Sequence, residues 1–258
     1  MSDLICEQQG KTFIITMNRV EKHNAFDDSM LAHLQLMLEE ARDNPAVAVI
    51  ILMANGPHFS AGADASWMQR MADYSEEENR ADAILFAHMM HTLYTCPKPT
   101  VAMVQGAAFG GGAGLAAACD ITIAADTARF CFSEVKFGLI PAVISPYVIK
   151  AIGERAACEL FMTAQVFNAQ RAYDLKLVQH CVPENKLLTF TLDLAEKITK
   201  NAPLAVKASK ALTRLVSGQP IDEAMQMLTS SLIAEKRVSA EGQNGLKAFL
   251  SKTTPNWD

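Results

Sequence analysis

The chain has 258 residues, of which half are hydrophobic and a fifth are charged, with a formal net charge of −5. This composition is typical of a globular protein with a sizeable buried core, and the acidic balance argues against a nucleic-acid partner. No window is apolar enough to cross a bilayer, and the first residues lack the basic start and long apolar run of a signal peptide. We therefore expect a cytoplasmic protein with no membrane partner.

Cysteine and histidine residues are scattered along the chain. The six cysteines occur singly, with no C-x-x-C pair, which favours free buried thiols over a zinc site or a disulfide framework. His88 and His91 lie three residues apart on a predicted helix, but no acidic residue near them in sequence completes a metal-ligand set. The sequence therefore predicts no metal site.

Strand-like and helix-like segments alternate through the first part of the chain. Residues 12–19 form a short β-branched run that predicts a strand, and residues 29–42 repeat apolar side chains at helical spacing. The uniformly apolar runs at residues 47–54 and 99–106 predict strands that are covered on both faces. Between them, residues 75–96 predict a helix that starts at a serine followed by acidic residues.

The second part of the chain is helical almost throughout. From about residue 186 onward the apolar residues recur at helical spacing, and no low-complexity linker separates this part from the rest. We therefore predict one α/β core, residues 1–195, followed by a helical region, residues 196–258.

A glycine-rich segment, VQGAAFGGGAGLAAACDITIA at residues 104–124, follows the strand predicted at residues 99–106. Glycines at the start of a helix leave unhindered backbone N–H groups at the positive end of the helix dipole, where they can bind negative charge. The segment is not a P-loop, because no lysine follows the glycines, and it does not fit G-x-G-x-x-G. Close packing of helix on strand is an equally good explanation from glycine content alone.

A second segment of small residues, GPHFSAGADASWM at residues 56–68, follows the strand predicted at residues 47–54. Two strand ends would then each offer a backbone N–H group, and two such donors make an oxyanion hole. A serine hydrolase is not indicated, since neither Ser60 nor Ser133 lies in a G-x-S-x-G motif.

These two segments resemble the enoyl-CoA hydratase/isomerase (crotonase) superfamily. The similar motifs are FSAGAD at residues 59–64, GAAFGGG at 106–112, MNRVEKHNAF at 17–26, ACDITIAADTARFCFSEVKFGLIP at 118–141 and LKAFLSKTTPNW at 246–257. The resemblance covers nearly the whole chain. It implies an α/β fold with a crotonase-like ββα spiral core and a C-terminal helical trimerisation region.

The resemblance also implies roles for individual residues. The oxyanion donors would be the backbone N–H groups of Ala63 and Gly111. The substrate and its CoA would be bound by Lys22, Ala25, Ala61, Gly62, Asp64, Ala65, Ser66, Gly110 and Gly114. Phe249 and Lys252 would reach CoA from a neighbouring subunit, because the superfamily forms homotrimers that often stack into hexamers.

One departure from the superfamily pattern concerns the acid–base groups. Hydratases of the superfamily usually carry a glutamate where this chain has Gly114, so Glu134 is the one carboxylate left to act on water and substrate. We expect Glu134 to act as the general base and then return the proton. We also expect Gly114 to leave room for a branched or carboxylated acyl group, above a pocket floor formed by Ile144, Pro146 and Tyr147.

The leading functional prediction is a lyase that hydrates the C2=C3 bond of an enoyl-CoA thioester. Within the superfamily the sequence looks most like the bacterial 3-methylglutaconyl-CoA hydratases of leucine and isovalerate breakdown. Two alternatives stay open: a Δ3,Δ2-enoyl-CoA isomerase that uses the single glutamate, and a non-catalytic protein that binds CoA thioesters. None of these needs a metal or redox cofactor, because CoA is part of the substrate.

Overall fold

The computed structural model describes residues 2–257, and in this range nine strands form two sheets. The strands are β1 Leu4–Gln9, β2 Thr12–Met17, β3 Val49–Ala54, β4 Thr100–Val104, β5 Ala107–Phe109, β6 Ile121–Ala125, β7 Arg129–Cys131, β8 Phe167–Asn168 and β9 His180–Val182. The larger sheet has the order β1-β2-β3-β4-β6-β9, and the smaller sheet has the order β5-β7-β8.

Eleven α-helices are found in the same range. They are α1 Asp28–Asp43, α2 Ala65–Ala72, α3 Glu76–Thr95, α4 Gly111–Ala118, α5 Ser145–Ile152, α6 Glu154–Thr163, α7 Ala169–Asp174, α8 Leu187–Thr199, α9 Pro203–Val216, α10 Glu223–Val238 and α11 Ala240–Leu250. Short 3₁₀ turns span Val20–Lys22, Glu134–Phe137 and Glu184–Lys186. None of the helices within residues 2–257 is long and apolar enough to cross a membrane.

The central strands of the larger sheet run parallel and are covered on both faces. Strands β2, β3, β4, β6 and β9 pair in parallel, and every residue of β2 and β4 is buried. This explains their uniformly apolar sequences, and the strands predicted at residues 12–19, 47–54 and 99–106 are confirmed. Strand β1 was not predicted. It is an antiparallel edge strand in which only Leu4 is buried, so its sequence carries little hydrophobic signal.

The helices predicted in the core are confirmed, and local capping explains where they begin. Helix α1 starts after Asp27, whose carboxylate accepts a hydrogen bond from the backbone N–H of Met30. Helix α3 starts with a complete capping box between Ser75 and Glu78. Such caps satisfy N–H groups that have no partner inside the helix, and each contributes about 1 kcal/mol to stability.

The helical region after the sheet divides into a buried helix and three exposed helices. Helix α8 buries Leu187, Thr191 and Ala195 and packs against β2, β3, β4 and β6. The predicted boundary at residue 195 therefore lies inside a helix that belongs with the core. Helices α9 and α10 bury no residue, and α11 buries only Ala248.

Charged contacts attach α9 to the core. The ammonium group of Lys210 donates hydrogen bonds to a carboxylate oxygen of Asp120 and, at 2.8 Å, to the carbonyl oxygen of Lys98. The guanidinium of Arg214 lies 3.3 Å from the other oxygen of Asp120 and stacks 4.1 Å from the ring centre of Tyr94. Because Lys210 and Asp120 are mostly shielded from water, their ion pair is stronger than one on the surface.

We expect Asp120→Asn to loosen α9, because the substitution leaves Lys210 without its carboxylate partner. The free energy of unfolding should fall by roughly 2 to 4 kcal/mol, measured by chemical denaturation, and amide hydrogen exchange in α9 should accelerate. The control is Glu196→Gln, which removes the exposed ion pair with Lys200 and should change neither measurement. Unchanged exchange in α9 of the Asp120 variant would contradict the role of this ion pair.

Candidate active site

Backbone hydrogen bonds join the two segments of small residues at the carboxyl edge of the parallel sheet. The N–H of Phe59 donates to the carbonyl of Gln105 at 2.9 Å, and the N–H of Ser60 donates to the carbonyl of Ala107 at 3.0 Å. The N–H of Phe109 donates back to the carbonyl of Ser60, also at 3.0 Å. The loop after β3 and the loop before α4 are therefore held in fixed register.

Two backbone N–H groups at this junction have no acceptor among the described residues. From residue 59 to residue 64 each backbone N–H donates to a protein group, except that of Ala63. Gly111 is the first residue of α4, so its N–H has no acceptor within the helix. A β-carbon at Gly62, the residue before Ala63, would lie 3.8 Å from the nitrogen of Gly111. The turns that carry the two free N–H groups are therefore adjacent.

Two glycines make this arrangement possible. Gly62 has φ of +94°, and a β-carbon there would lie 2.9 Å from the carbonyl oxygen of Phe109. Gly110 has φ of +50° and connects β5 to α4. Side chains at either position would be strained, and the one at Gly62 would push the two loops apart.

Aromatic rings pack beneath the free N–H of Gly111. A β-carbon at Gly111 would lie 2.4 Å from Cζ of Phe26 and 3.1 Å from Cζ of Phe86, and the two ring centres are 5.5 Å apart. Phe26 also lies 6.4 Å from the ring of Trp67. These aromatic residues were not predicted from the sequence. They come from α2, α3 and the loop before α1, and only the fold brings them together.

Glu134 lies next to the glycine turn. A β-carbon at Gly110 would be 3.3 Å from Oε1 of Glu134, so the carboxylate faces the start of α4. Its Oε2 is buried and has no hydrogen-bond partner among residues 2–257. Burial raises the pKa of Glu134 above its ordinary value. A carboxylate with a raised pKa and a free oxygen is suited to accepting and returning a proton.

A cluster of charges fixes the loop that contains Lys22. Asp64 is almost completely buried, and its carboxylate accepts hydrogen bonds from Lys22 at 2.7 Å, from Arg19 at 2.9 Å and from Ser66. Burial tends to raise the pKa of Asp64, but the hydrogen bonds from Lys22 and Ser66 outweigh it and hold the pKa well below its usual range. Direct contact between Asp64 and CoA was predicted. In this structure the carboxylate is occupied by protein groups and positions Lys22, and contact between Asp64 and CoA stays a prediction.

The other residues predicted to bind substrate or CoA fall into three groups. Four of them are at least partly exposed at the rim of the two loops: Lys22, Ala61, Ala65 and Ser66. Ala25, Gly62 and Gly110 are buried within the loops. Phe249 lies in α11 and Lys252 just after it, and both are exposed.

The space beside Gly114 is already filled. A β-carbon at Gly114 would lie 2.2 Å from Cγ2 and 2.7 Å from Cβ of Ile144, which is 2% exposed. The expectation that Gly114 leaves room for an acyl group is therefore wrong. Helix α4 approaches α5 closely at this point, and the glycine is needed because the branched Ile144 packs directly on the helix backbone.

Tyr147, also predicted in the pocket floor, faces a different part of the molecule. Its ring lies 5.2 Å from that of Tyr94 and lines a cavity of about 400 Å³ at the C-terminal end of α4, with Cys119 and Lys150. A second cavity, of about 880 Å³, lies between α9 and the C-terminal residues. Glu134 lines neither cavity.

Buried polar residues that the sequence analysis did not single out hold the loops together. Asn24 is fully buried in a left-handed conformation, and its amide donates to the carbonyls of Asn55 and His58, each at 2.8 Å. The hydroxyl of Ser60 donates to the carbonyl of Asn24 at 2.8 Å. The one signal for Asn24 is its place within the motif MNRVEKHNAF at residues 17–26.

Nearly the whole chain is similar to known proteins. Residues 7–258 match the family model described as Enoyl-CoA hydratase/isomerase. The short-chain-enoyl-CoA hydratase of Clostridium acetobutylicum is 32% identical, over 98% of this chain and 96% of that protein. The 2,3-dehydroadipyl-CoA hydratase of Escherichia coli is 29% identical, over 100% of this chain and 99% of that protein.

Solved structures are also similar to this chain over nearly its whole length. A chain from Legionella pneumophila, provisionally described as an enoyl-CoA hydratase/isomerase (crotonase), is 61% identical, covers 100% of both chains and has a TM-score of 0.98. An enoyl-CoA hydratase from Shewanella pealeana is 42% identical, with coverage of 99% of this chain and 96% of that chain and a TM-score of 0.95. The chain therefore belongs to the enoyl-CoA hydratase/isomerase family and has the crotonase fold.

Proposed function

We propose that the protein is an enoyl-CoA hydratase that adds water to, or removes it across, the C2=C3 bond of an acyl-CoA thioester. One observation carries the proposal: the unpaired N–H groups of Ala63 and Gly111 adjoin a turn where Glu134 holds a buried carboxylate oxygen without a partner. Donors for a developing oxyanion and a base for a proton are what conjugate addition to a thioester requires.

The proposed mechanism uses the two features in sequence. The thioester oxygen accepts hydrogen bonds from Ala63 and Gly111, which draws electron density from C3 and stabilises the enolate that forms when water attacks there. Glu134 takes a proton from that water, so hydroxide bonds to C3 as the C2=C3 bond gives its electron pair to the enolate. Glu134 then returns the proton to C2, which leaves a 3-hydroxyacyl-CoA and the carboxylate in its initial state.

For the acyl group we propose 3-methylglutaconyl-CoA or a related branched short-chain enoyl-CoA. The candidate acid–base group is a single carboxylate, Glu134, and a second carboxylate beside it would repel an acyl group that itself carries a carboxylate. The Escherichia coli relative is named for a dehydroadipyl-CoA, whose acyl group is also a dicarboxylic acid derivative. CoA would lie across the rim residues, where Lys22 offers a partly exposed ammonium group for its phosphates.

A Δ3,Δ2-enoyl-CoA isomerase is the second candidate, and the single carboxylate favours it. Isomerisation needs one group that removes a proton and returns it, plus enolate stabilisation at Ala63 and Gly111. The retained Glu134 argues against the third reading, a non-catalytic CoA-thioester-binding protein. A panel of crotonyl-CoA, 3-methylglutaconyl-CoA and 3-hexenoyl-CoA separates them, because conjugated absorbance is lost on hydration, gained on isomerisation and unchanged without catalysis.

We further propose a cytoplasmic homotrimer or a dimer of trimers, in which α9, α10 and α11 form the contacts between subunits. Large apolar side chains stand exposed on these helices, including Leu204 at 58%, Met227 at 64% and Phe249 at 79%. Many large exposed apolar side chains on three successive helices are typical of an interaction surface. In the assembly, Phe249 and Lys252 would reach the CoA of a neighbouring subunit.

We expect Glu134→Gln to lower kcat by about two to four orders of magnitude, because glutamine cannot exchange a proton, while the affinity for a saturated acyl-CoA stays nearly unchanged. In the wild type, activity should fall as the pH drops through the raised pKa of Glu134, so the acid limb lies above pH 4.5.

The same variant provides a stability test. A carboxyl group whose pKa is raised by folding stabilises the fold when protonated and loses that contribution as the pH rises through the raised value. The melting temperature of Glu134→Gln relative to wild type should therefore increase as the pH rises through the raised pKa of Glu134. Wild-type turnover in the variant would refute the single-glutamate mechanism.

A second prediction concerns Gly111. Gly111→Val puts a β-carbon onto the ring of Phe26, so the N–H must move, and kcat should fall by roughly two to three orders of magnitude. Gly10→Val is the control, since a β-carbon there meets nothing within 4 Å and the residue lies in the turn between β1 and β2, although its φ of +58° adds some strain. If a folded Gly111 variant keeps the wild-type rate, its N–H is not a catalytic donor.

A third prediction concerns assembly. Light scattering should give the mass of three or six chains of 28.1 kDa. Replacing Leu204 and Met227 together with glutamate should shift the mass to one chain, because charge on an apolar contact is not tolerated. A monomeric wild-type protein at micromolar concentration would exclude the proposed assembly.

A further inference from the structure

The first N–H group of β5 is held by a side chain and not by a backbone carbonyl. The N–H of Ala107 donates to Nδ1 of the His58 imidazole at 3.1 Å. The neighbouring bonds between these two segments are ordinary backbone bonds, from the N–H of Ser60 to the carbonyl of Ala107 and from the N–H of Phe109 to the carbonyl of Ser60. In a regular parallel ladder the N–H of Ala107 would donate to the carbonyl of residue 58. The imidazole of His58 therefore replaces a backbone acceptor.

The carbonyl of His58 is not free to accept this bond. It accepts a hydrogen bond from the side-chain amide of Asn24 at 2.8 Å. The consecutive N–H groups of Phe59 and Ser60 also both donate to residues 105–107, so the ladder is interrupted at this point. Without the imidazole, the N–H of Ala107 would lose the acceptor that it has in this structure, and a backbone N–H without a partner weakens the segment that carries it.

Two neighbours hold the ring of His58 in the orientation that this bond needs. A β-carbon at Gly106 would lie 2.6 Å from Nδ1, so the glycine lets the imidazole approach the backbone closely. The ring of His23 lies edge-on to that of His58, with 5.0 Å between the ring centres. Gly106 lies between β4 of the larger sheet and β5 of the smaller one. The bond from Ala107 therefore fixes the point at which the chain passes from one sheet to the other.

The same bond joins the segments that carry the two candidate oxyanion donors. His58 precedes Ala63 in the loop after β3, and Ala107 begins the short strand that leads to Gly111. This strand, β5, pairs along its whole length with β7, so it moves as a unit. A shift of Ala107 would be passed along β5 and would change the position of the Gly111 N–H relative to that of Ala63.

We infer that His58 is a positioning residue for the oxyanion hole, because its Nδ1 holds the N–H of Ala107 and so fixes the distance between the N–H groups of Ala63 and Gly111. The inference rests on the proposed function for the reaction and adds a residue to its machinery. A nitrogen that accepts a hydrogen bond carries no proton, so the imidazole is neutral and has its proton on Nε2.

Two variants of nearly the same shape separate the acceptor from the bulk of the side chain. Asparagine at position 58 has Oδ1 at the same number of bonds from the backbone as Nδ1 of histidine, whereas leucine has a methyl group there. We expect His58→Leu to lower kcat roughly tenfold with little change in KM, because the bond to Ala107 is lost. His58→Asn should keep most of the wild-type kcat. The control is His91→Leu, the same change at an exposed position on α3, which should leave kcat unchanged.

The carbonyl stretching frequency of bound butyryl-CoA tests the oxyanion hole without turnover. Hydrogen bonds from Ala63 and Gly111 draw electron density towards the thioester oxygen and lower this frequency relative to the free thioester. Infrared difference spectra with an isotope-labelled carbonyl should show the full lowering in wild type and in His58→Asn, and a smaller lowering in His58→Leu. A side chain that only stabilises the fold would not shift this band in a folded variant.

Equal behaviour of His58→Leu and His58→Asn, in either kcat or the carbonyl band, would overturn the inference. If His58→Leu does not fold, His58→Ala takes its place, since truncation of this half-buried side chain costs less stability than truncation in the core. If wild type turns over none of the enoyl-CoA panel, the proposed function fails, while the carbonyl band of the bound saturated thioester still decides the role of His58.

Discussion

The site depends on the close approach of two backbone segments, one after β3 and one before α4. Parallel pairing of β3 with β4 brings both segments to the same edge of the sheet, and hydrogen bonds between residues 59–60 and residues 105–109 then hold them in register. Only glycine at positions 62 and 110 permits the required turns. An N–H group that points at an oxyanion must be fixed before the substrate arrives, because its catalytic value comes from not having to reorganise.

Buried polar groups supply the rest of that rigidity. Those whose hydrogen bonds are all made within the protein hold the loops in place, whereas a buried polar atom without a partner is a candidate for catalysis. Asn24 and Asp64 use their side-chain oxygens and nitrogens within the protein. Among residues 2–257, only Gln105 Oε1 and Glu134 Oε2 are buried side-chain atoms without a partner. Gln105 still donates to the carbonyls of Ala54 and Gly56. Glu134 therefore stands out as the acid that has one buried oxygen without a partner and its other oxygen, Oε1, beside the glycine turn.

The sequence was sufficient to predict the long elements and the two loops, because strands buried on both faces and amphipathic helices leave strong periodic signals. It was not sufficient for contacts between residues distant in the chain. A glycine at position 114 indicates either that a neighbouring group packs against the helix backbone or that a ligand occupies the space. The sequence does not show that Ile144, thirty residues later, is that neighbouring group. Phe26 and Phe86 beneath Gly111 were missed for the same reason, since their packing is decided by how α3 packs against α1 and α4.

The exposed helices α9 to α11 also follow all nine strands in the order of synthesis. Every strand of both sheets ends by Val182, whereas α9 begins at Pro203. A growing chain can therefore close its sheets before the segment with the most exposed apolar surface has left the ribosome. This order separates folding of the core from association between chains, so incomplete sheets spend less time beside the apolar helices of another copy, where strands from different molecules could pair wrongly.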